Sequence, residues 1–192
     1  AGAHAAFSLI NQDYWTIADI SLTNPAPTLA RRNGLYIAAT DGTAHRGYVV
    51  KNLTIDKVAG QTNKTGATAG DFAHSAGIEF ESITAGSTLN QVTVDGNRVS
   101  NTGGGGIKVR TSDSTSSLKG QNILVQNNVI TSAGGDGIIT SFAEAPMIQN
   151  NTASDLGGGT YPWTGGYFAG MWALGSNNPT IQKNVVYGTH QE

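Results

Sequence analysis

Glu79 and Glu81 sit two residues apart in Ala76-Gly77-Ile78-Glu79-Phe80-Glu81, and Lys108 and Arg110 have the same spacing in Gly106-Ile107-Lys108-Val109-Arg110. In extended backbone, residues i and i+2 share a face about 6.7 Å apart. Each pair therefore puts two like charges on one side, while Ile78, Phe80, Ile107 and Val109 turn to the other. Two carboxylates so placed match either of the separations used in glycosidic-bond hydrolysis, depending on rotamer, and do not select retention or inversion. Neighbouring Lys and Arg would hold both carboxyls low, which suits a nucleophile or base better than an acid. The proton donor must then come from elsewhere, and Asp136 in Gly134-Gly135-Asp136-Gly137 is the natural candidate. A plainer reading stands beside this one. Opposite charges on adjacent strands form exposed pairs worth roughly 0.2–1 kcal/mol each, and Asp before Gly caps a tight turn.

These residues occupy fixed places in a repeat. Five segments open with Gly and run on as an alternating strand: Asn33-Gly34-Leu35-Tyr36-Ile37, Ala76-Gly77-Ile78-Glu79-Phe80, Gly105-Gly106-Ile107-Lys108-Val109, Asp136-Gly137-Ile138-Ile139-Thr140 and Ala169-Gly170-Met171-Trp172-Ala173. The glycines are 43, 29, 31 and 33 residues apart. The long first interval carries an insertion near 61–75, and a second insertion lies near 157–168. A further strand accompanies each coil: Trp15 through Leu22, Leu53-Thr54-Ile55, Val92-Thr93-Val94, Ile123-Leu124-Val125, Met147-Ile148-Gln149 and Thr180-Ile181-Gln182. Near-regular repetition with insertions at corners marks a stacked array. Gly, Asn and Thr interrupt every stretch long enough for a helix, and β-branched residues gather in the strands. The expectation is one all-β domain over 1–192, a right-handed parallel β-helix of about five to six coils belonging to a longer solenoid, with open ends suited to self-association.

Asn97, Asn128, Asn151 and Asn184 follow the second strand at corresponding positions. Coils stacked about 4.8 Å apart allow such side chains to hydrogen-bond along the axis, at a corner where Asn also tolerates left-handed backbone. This strand-Asn-turn-Gly-Ile pattern, as in Val125-Gln126-Asn127-Asn128-Val129 followed by Gly135-Asp136-Gly137-Ile138, resembles the pectate-lyase-like superfamily of right-handed parallel β-helix proteins over nearly the whole chain. The resemblance implies a polysaccharide or oligosaccharide partner outside the cell or at its surface. It leaves the activity open, because lyases, glycoside hydrolases, epimerases, tailspikes and adhesins share the repeat. The Asn-Thr-Asp, Asp-Asp, Gly-His-Gly and Arg-Ile-Lys runs of the superfamily's galacturonan hydrolases are not present.

Alternation assigns the faces. One outward column runs Tyr36, Glu79, Lys108, Ile139 and Trp172, and the next Ala38, Glu81, Arg110, Ser141 and Leu174. Catalytic candidates are thus Glu79, Glu81, Asp136, Lys108 and Arg110. Substrate-binding candidates are Tyr36, Trp172, the insertion residues Asp71 and His74, and Tyr161 and Trp163 from the Gly-rich aromatic stretch, whose rings would stack on sugars. A glycoside hydrolase acting through outward carboxylates is the leading expectation. A uronate lyase using Lys108 and Arg110 as base and orienting group is the second, and a non-catalytic glycan-binding, adhesin or fibre β-helix the third.

Composition narrows the partners. Charged residues make up 12 % of the chain and the net charge is −2, with no basic patch for nucleic acid. No apolar run nears the roughly 20 residues of a membrane helix. Cysteine is absent, the four histidines are dispersed at 4, 45, 74 and 190, and no dense acidic cluster appears, so neither a metal nor another cofactor is expected.

Overall fold

The computed structural model describes residues 4–115 and 117–190, and these wind as a parallel β-helix of three strand columns. The first column, here the site face, stacks Ala5–Ile10, Asn33–Ala39, Ala76–Ser82, the second halves of Arg98–Arg110 and Val129–Ser141, and Met171–Leu174. The second stacks Trp15–Ala18, Ala44–Lys51, Thr88–Asp95, Ile123–Gln126, Met147–Gln149 and Thr180–Gln182. The third stacks Ser21–Asn24, Thr54–Val58, the first halves of the two long strands, Thr152–Leu156 and Val185–Thr189.

Every second side chain of each strand turns inward and meets its counterparts one coil away. Ile78, Phe80, Ile107, Val109 and Ile138 from the site face, Val50, Val92, Val94, Val125 and Ile148 from the second, and Ile55, Val99, Ile130 and Ala153 from the third form one continuous core. Full burial of such a Val, Ile or Phe stabilises the fold by about 1.5–3 kcal/mol each. The repeated glycine lets the coils close up. A Cβ on Gly106 would stand 2.6 Å from both the Gly137 carbonyl oxygen and Ile130 Cγ2, and one on Gly137 would stand 2.3 Å from the Gly170 oxygen.

The predicted Asn column is present. Asn97 Nδ2 donates to Asn128 Oδ1 at 2.8 Å, Asn128 to Asn151 at 2.9 Å, and Asn151 to Asn184 at 3.0 Å. The left-handed residue, however, is the one before the ladder: Asn127 has φ 56°, Asn150 54° and Lys183 56°. Two strand assignments in the first coils also shift. Leu53-Thr54-Ile55 belongs to the third column beside Val99, and Tyr48-Val49-Val50 is what pairs with Val92-Thr93-Val94. Both stretches alternate in the same way, so pattern alone did not separate them. The run from Trp15 to Leu22 is broken at Asp19, whose φ of 58° turns the chain from the second column to the third.

Two insertions stand on the outer side of the site face. One, between Val58 and Ala76, holds a 3-10 turn at Gly66–Thr68 and a short helix at Ala69–Ala73. The other follows Leu156. They are pinned together, with Lys64 N–H donating to the Gly165 carbonyl at 2.9 Å, Thr164 N–H to Thr62 at 3.3 Å, and Lys64 Nζ to the Tyr167 carbonyl at 3.0 Å. The helix sits above the strand row, because Lys108, pointing outward, donates to the Phe72 carbonyl at 2.6 Å.

Candidate active site

The strand register aligns Tyr36 with Glu79, Glu79 with Lys108, Lys108 with Ile139 and Ile139 with Trp172, and the next row aligns Ala38, Glu81, Arg110, Ser141 and Leu174. Both outward columns are those expected from alternation. Outward from the core does not mean open to water, though. Glu79 and Glu81 are each 1 % exposed, Asp136 3 % and Lys108 4 %. The Ala69–Ala73 helix and its flanks cover the row, so the charges face a roofed site and not an open groove.

Burial reverses the expected direction of the shift at Glu79. Loss of hydration pushes its carboxyl well above the usual 4.5, and the charge of Glu81 adds to this, while Lys108, Arg31 and Arg110 do not offset it. Its Oε2 is buried and makes no hydrogen bond. Glu81 differs. Burial also pushes it up, but the hydrogen bond and charge of His74, the Tyr36 hydroxyl and the Arg31 guanidinium outweigh that and leave it below the usual value. Arg31 reaches Glu81 Oε2 at 2.5 Å, Tyr36 donates its hydroxyl to the same oxygen, and His74 Nδ1 meets Oε1. Two carboxyls on one strand face are thereby driven apart in acidity, the pattern by which acid and base roles separate. Neither Glu forms a salt bridge with the Lys108 or Arg110 aligned beside it; Glu81 pairs with Arg31 and His74 instead.

A cavity of about 110 Å³ opens beside this row, with Lys64, Glu79, Lys108, Arg110 and Asp136 as its charged lining and Phe72, Ile139 and Trp172 as apolar walls. Asp136 Oδ1 accepts from Trp172 Nε1 and from the Ala169 N–H, each at 3.1 Å, which fixes the indole at the rim. Burial lowers the Lys108 ammonium's pKa, opposed by Asp136 and Glu79.

Of the residues singled out from sequence, Glu79, Lys108, Arg110, Asp136 and Trp172 meet at the cavity. Glu81, Tyr36 and His74 form a cluster behind it. Asp71 is exposed on the short helix and contributes its backbone carbonyl to Ser75. Trp163 turns toward the core, edge-on to Phe168 at 6.1 Å, and neither it nor Tyr161 lines the cavity. Burying its apolar face was the stronger option for that indole. Arg31, Lys64 and Phe72 belong to the site and were not foreseen. The only sequence signal for Arg31 is the Arg31-Arg32 doublet just ahead of Asn33-Gly34 in a charge-poor chain.

His74, Glu79 and Glu81 each offer a donor atom within 4.8 Å of the others, a set a divalent ion could use. Arg31 already occupies one oxygen of Glu81, and Lys108 and Arg110 follow in the next coil, so the local field opposes a further cation.

Two solved structures share the architecture. The native GH136 lacto-N-biosidase from Eubacterium ramulus is 21% identical with a TM-score of 0.79, over 95% of this chain and 34% of that one. Its selenomethionine derivative is 19% identical with a TM-score of 0.72, over 95% of this chain and 39% of that one. The chain thus spans little more than a third of these neighbours, and at such identity the likeness establishes the fold. No curated protein matches it in sequence. The family model described as "Right handed beta helix region" matches residues 6–191, and the chain belongs to that family.

Proposed function

We propose that this β-helix hydrolyses a glycosidic bond at the cavity, with Glu79 as proton donor to the leaving oxygen and Asp136 as the second carboxylate facing the same space. The observation that carries this reading is Glu79 itself, a carboxyl on the cavity wall that is buried and unpartnered, its acidity pushed down by lost hydration while that of neighbouring Glu81 is pushed the other way. A neutral carboxylic acid near pH 7 is what general-acid catalysis requires. Glu81 takes part through Glu79 as a positioning residue, its charge fixed by Arg31, Tyr36 and His74. Trp172 gives a sugar ring an apolar face at the rim. Solved neighbours of the same fold, named as lacto-N-biosidases, support a carbohydrate substrate. The reading carries with it an extracellular or cell-surface location.

A second reading has its own observation. Lys108 is fully enclosed and its pKa is lowered by burial, so as a free amine it could remove the proton beside a uronate carboxylate and start β-elimination. Incubation with a panel of neutral and uronate glycans, following new reducing ends and the ultraviolet absorbance of unsaturated uronate, separates the two. Reducing ends alone, lost in Glu79→Gln, support hydrolysis. Reducing ends with absorbance, lost in Lys108→Met, replace it with elimination. Saturable binding without turnover across the panel rejects both and leaves a glycan-binding module.

A further inference from the structure

The cavity's charges are not matched. Its lining holds three cationic side chains, Lys64, Lys108 and Arg110, against two acidic ones, Glu79 and Asp136. Burial favours the neutral form of Glu79. Asp136 spends one oxygen on two N–H donors. Two of the cations are engaged: Lys108 donates to the Phe72 carbonyl and Lys64 to that of Tyr167.

Arg110 is different. Its guanidinium lies 5.1 Å from the centre of the Phe142 ring, and its buried Nε finds no acceptor. No side-chain hydrogen bond or ion pair of Arg110 exists among the described residues. Lys119 stands on the same ring at 5.9 Å, adding positive charge nearby. The acid aligned with Arg110 on the neighbouring coil, Glu81, is already taken by Arg31, Tyr36 and His74. A guanidinium carries five N–H donors in a planar fork that fits a two-oxygen anion, and leaving them unused in a partly dry site is costly.

We propose that the cavity receives a sugar unit bearing an anionic substituent, a carboxylate or a sulfate ester, with Arg110 as the residue that binds the anion and Lys64 and Lys108 setting the field around it. This rests on the cavity being the carbohydrate site argued above. Specificity follows from the arrangement: a neutral sugar would leave Arg110's donors unpaired, while an anionic one satisfies them.

The test titrates the whole chain calorimetrically at low salt with the methyl glycosides of glucose, glucuronic acid and glucose 6-sulfate, and with their galacto counterparts. One anionic member should bind at least about tenfold tighter than its neutral partner. Preference for the uronide assigns the carboxylate, and preference for the sulfated sugar assigns the ester. Arg110→Gln should erase the preference, and Arg110→Lys, which keeps the charge without the fork, should restore part of it. Equal binding of charged and neutral partners, or no binding of any of the six, overturns the proposal. Glu79→Gln separates it from the catalytic reading. Loss of turnover with the charge preference intact upholds both, and turnover of neutral glycans without any preference leaves hydrolysis standing and removes the anion site.

Discussion

Two columns of polar side chains run along this solenoid, and both are buried. In the buried middle of the Asn ladder, at Asn128 and Asn151, both side-chain N–H groups donate and the side-chain oxygen accepts twice. Asn128 Oδ1 accepts from the Asn97 N–H and Nδ2, and its own Nδ2 donates to Val94 O and Asn151 Oδ1. In the charged column valences are left over, since Glu79 Oε2 and Arg110 Nε have no partner. A column that serves the fold closes on itself, because an unmade buried hydrogen bond costs about 1–3 kcal/mol. A column that keeps such groups open bears that cost within the fold, and a ligand recovers it. The contrast separates architecture from site even though both repeat along the same axis.

The sharpest way to break this comparison is to alter each column at one residue. Glu79→Gln should lower kcat by about 10²- to 10⁴-fold while leaving the protein folded, as followed by circular dichroism and steady-state kinetics on the active glycan. Asn128→Ala should do the opposite, costing about 3 kcal/mol through the donors and acceptors it strands, with kcat/KM unchanged. If the ladder variant loses activity at full stability, the division between the columns fails.

A finer test concerns acidity. Removing the Glu81 charge lifts the repulsion that helps keep Glu79 protonated, so Glu81→Gln should move the alkaline limb of the kcat/KM profile to lower pH and cost about tenfold in rate near neutrality. Glu81→Asp should bring that limb partly back. Stability carries the same signature. A carboxyl raised in the fold binds more protons folded than unfolded between its ordinary value of 4.5 and its folded value, so its contribution falls as pH rises through that window. Denaturant midpoints should show a decline of up to about 1.4 kcal/mol per pH unit from this residue, absent in Glu79→Gln. A wild-type protein whose stability climbs across that window by the same amount would contradict the buried acid.

The smallest effect lies at the half-buried counterpart of the ladder. Gln149 Nε2 donates to Gln126 Oε1 at 3.0 Å and Gln149 Oε1 accepts from Gln182 Nε2 at 3.0 Å, in contact with solvent. Gln149→Ala should cost only about 0.5–1 kcal/mol, because water takes over the vacated partners. A larger loss would show that stacking itself, and not burial, gives the amide columns their strength.

Much of the fold was legible before any coordinates. The columns through Glu79 and Glu81, the inward Ile and Val sets and the Asn97 to Asn184 ladder all came from period-two alternation anchored on recurring Gly and Asn. The legible part of the site was its row membership, from Glu79 to Lys108 and Glu81 to Arg110. Of the features that come from outside the repeat, His74 was expected from its insertion and does meet Glu81; what escaped was Arg31 on Glu81, Phe72 over Lys108, Trp163 turned inward, and the roof made where Thr62 to Lys64 meet Thr164 to Tyr167.

The reason is the range of the forces involved. Alternation, turn chemistry and the space left by glycine are local, so a few consecutive residues settle which way Glu79 points. Its protonation depends on lost hydration and on the charge of Glu81, itself fixed by Arg31 from another coil and His74 from an insertion. Those energies exist only once the coils stack and the two insertions close over the row.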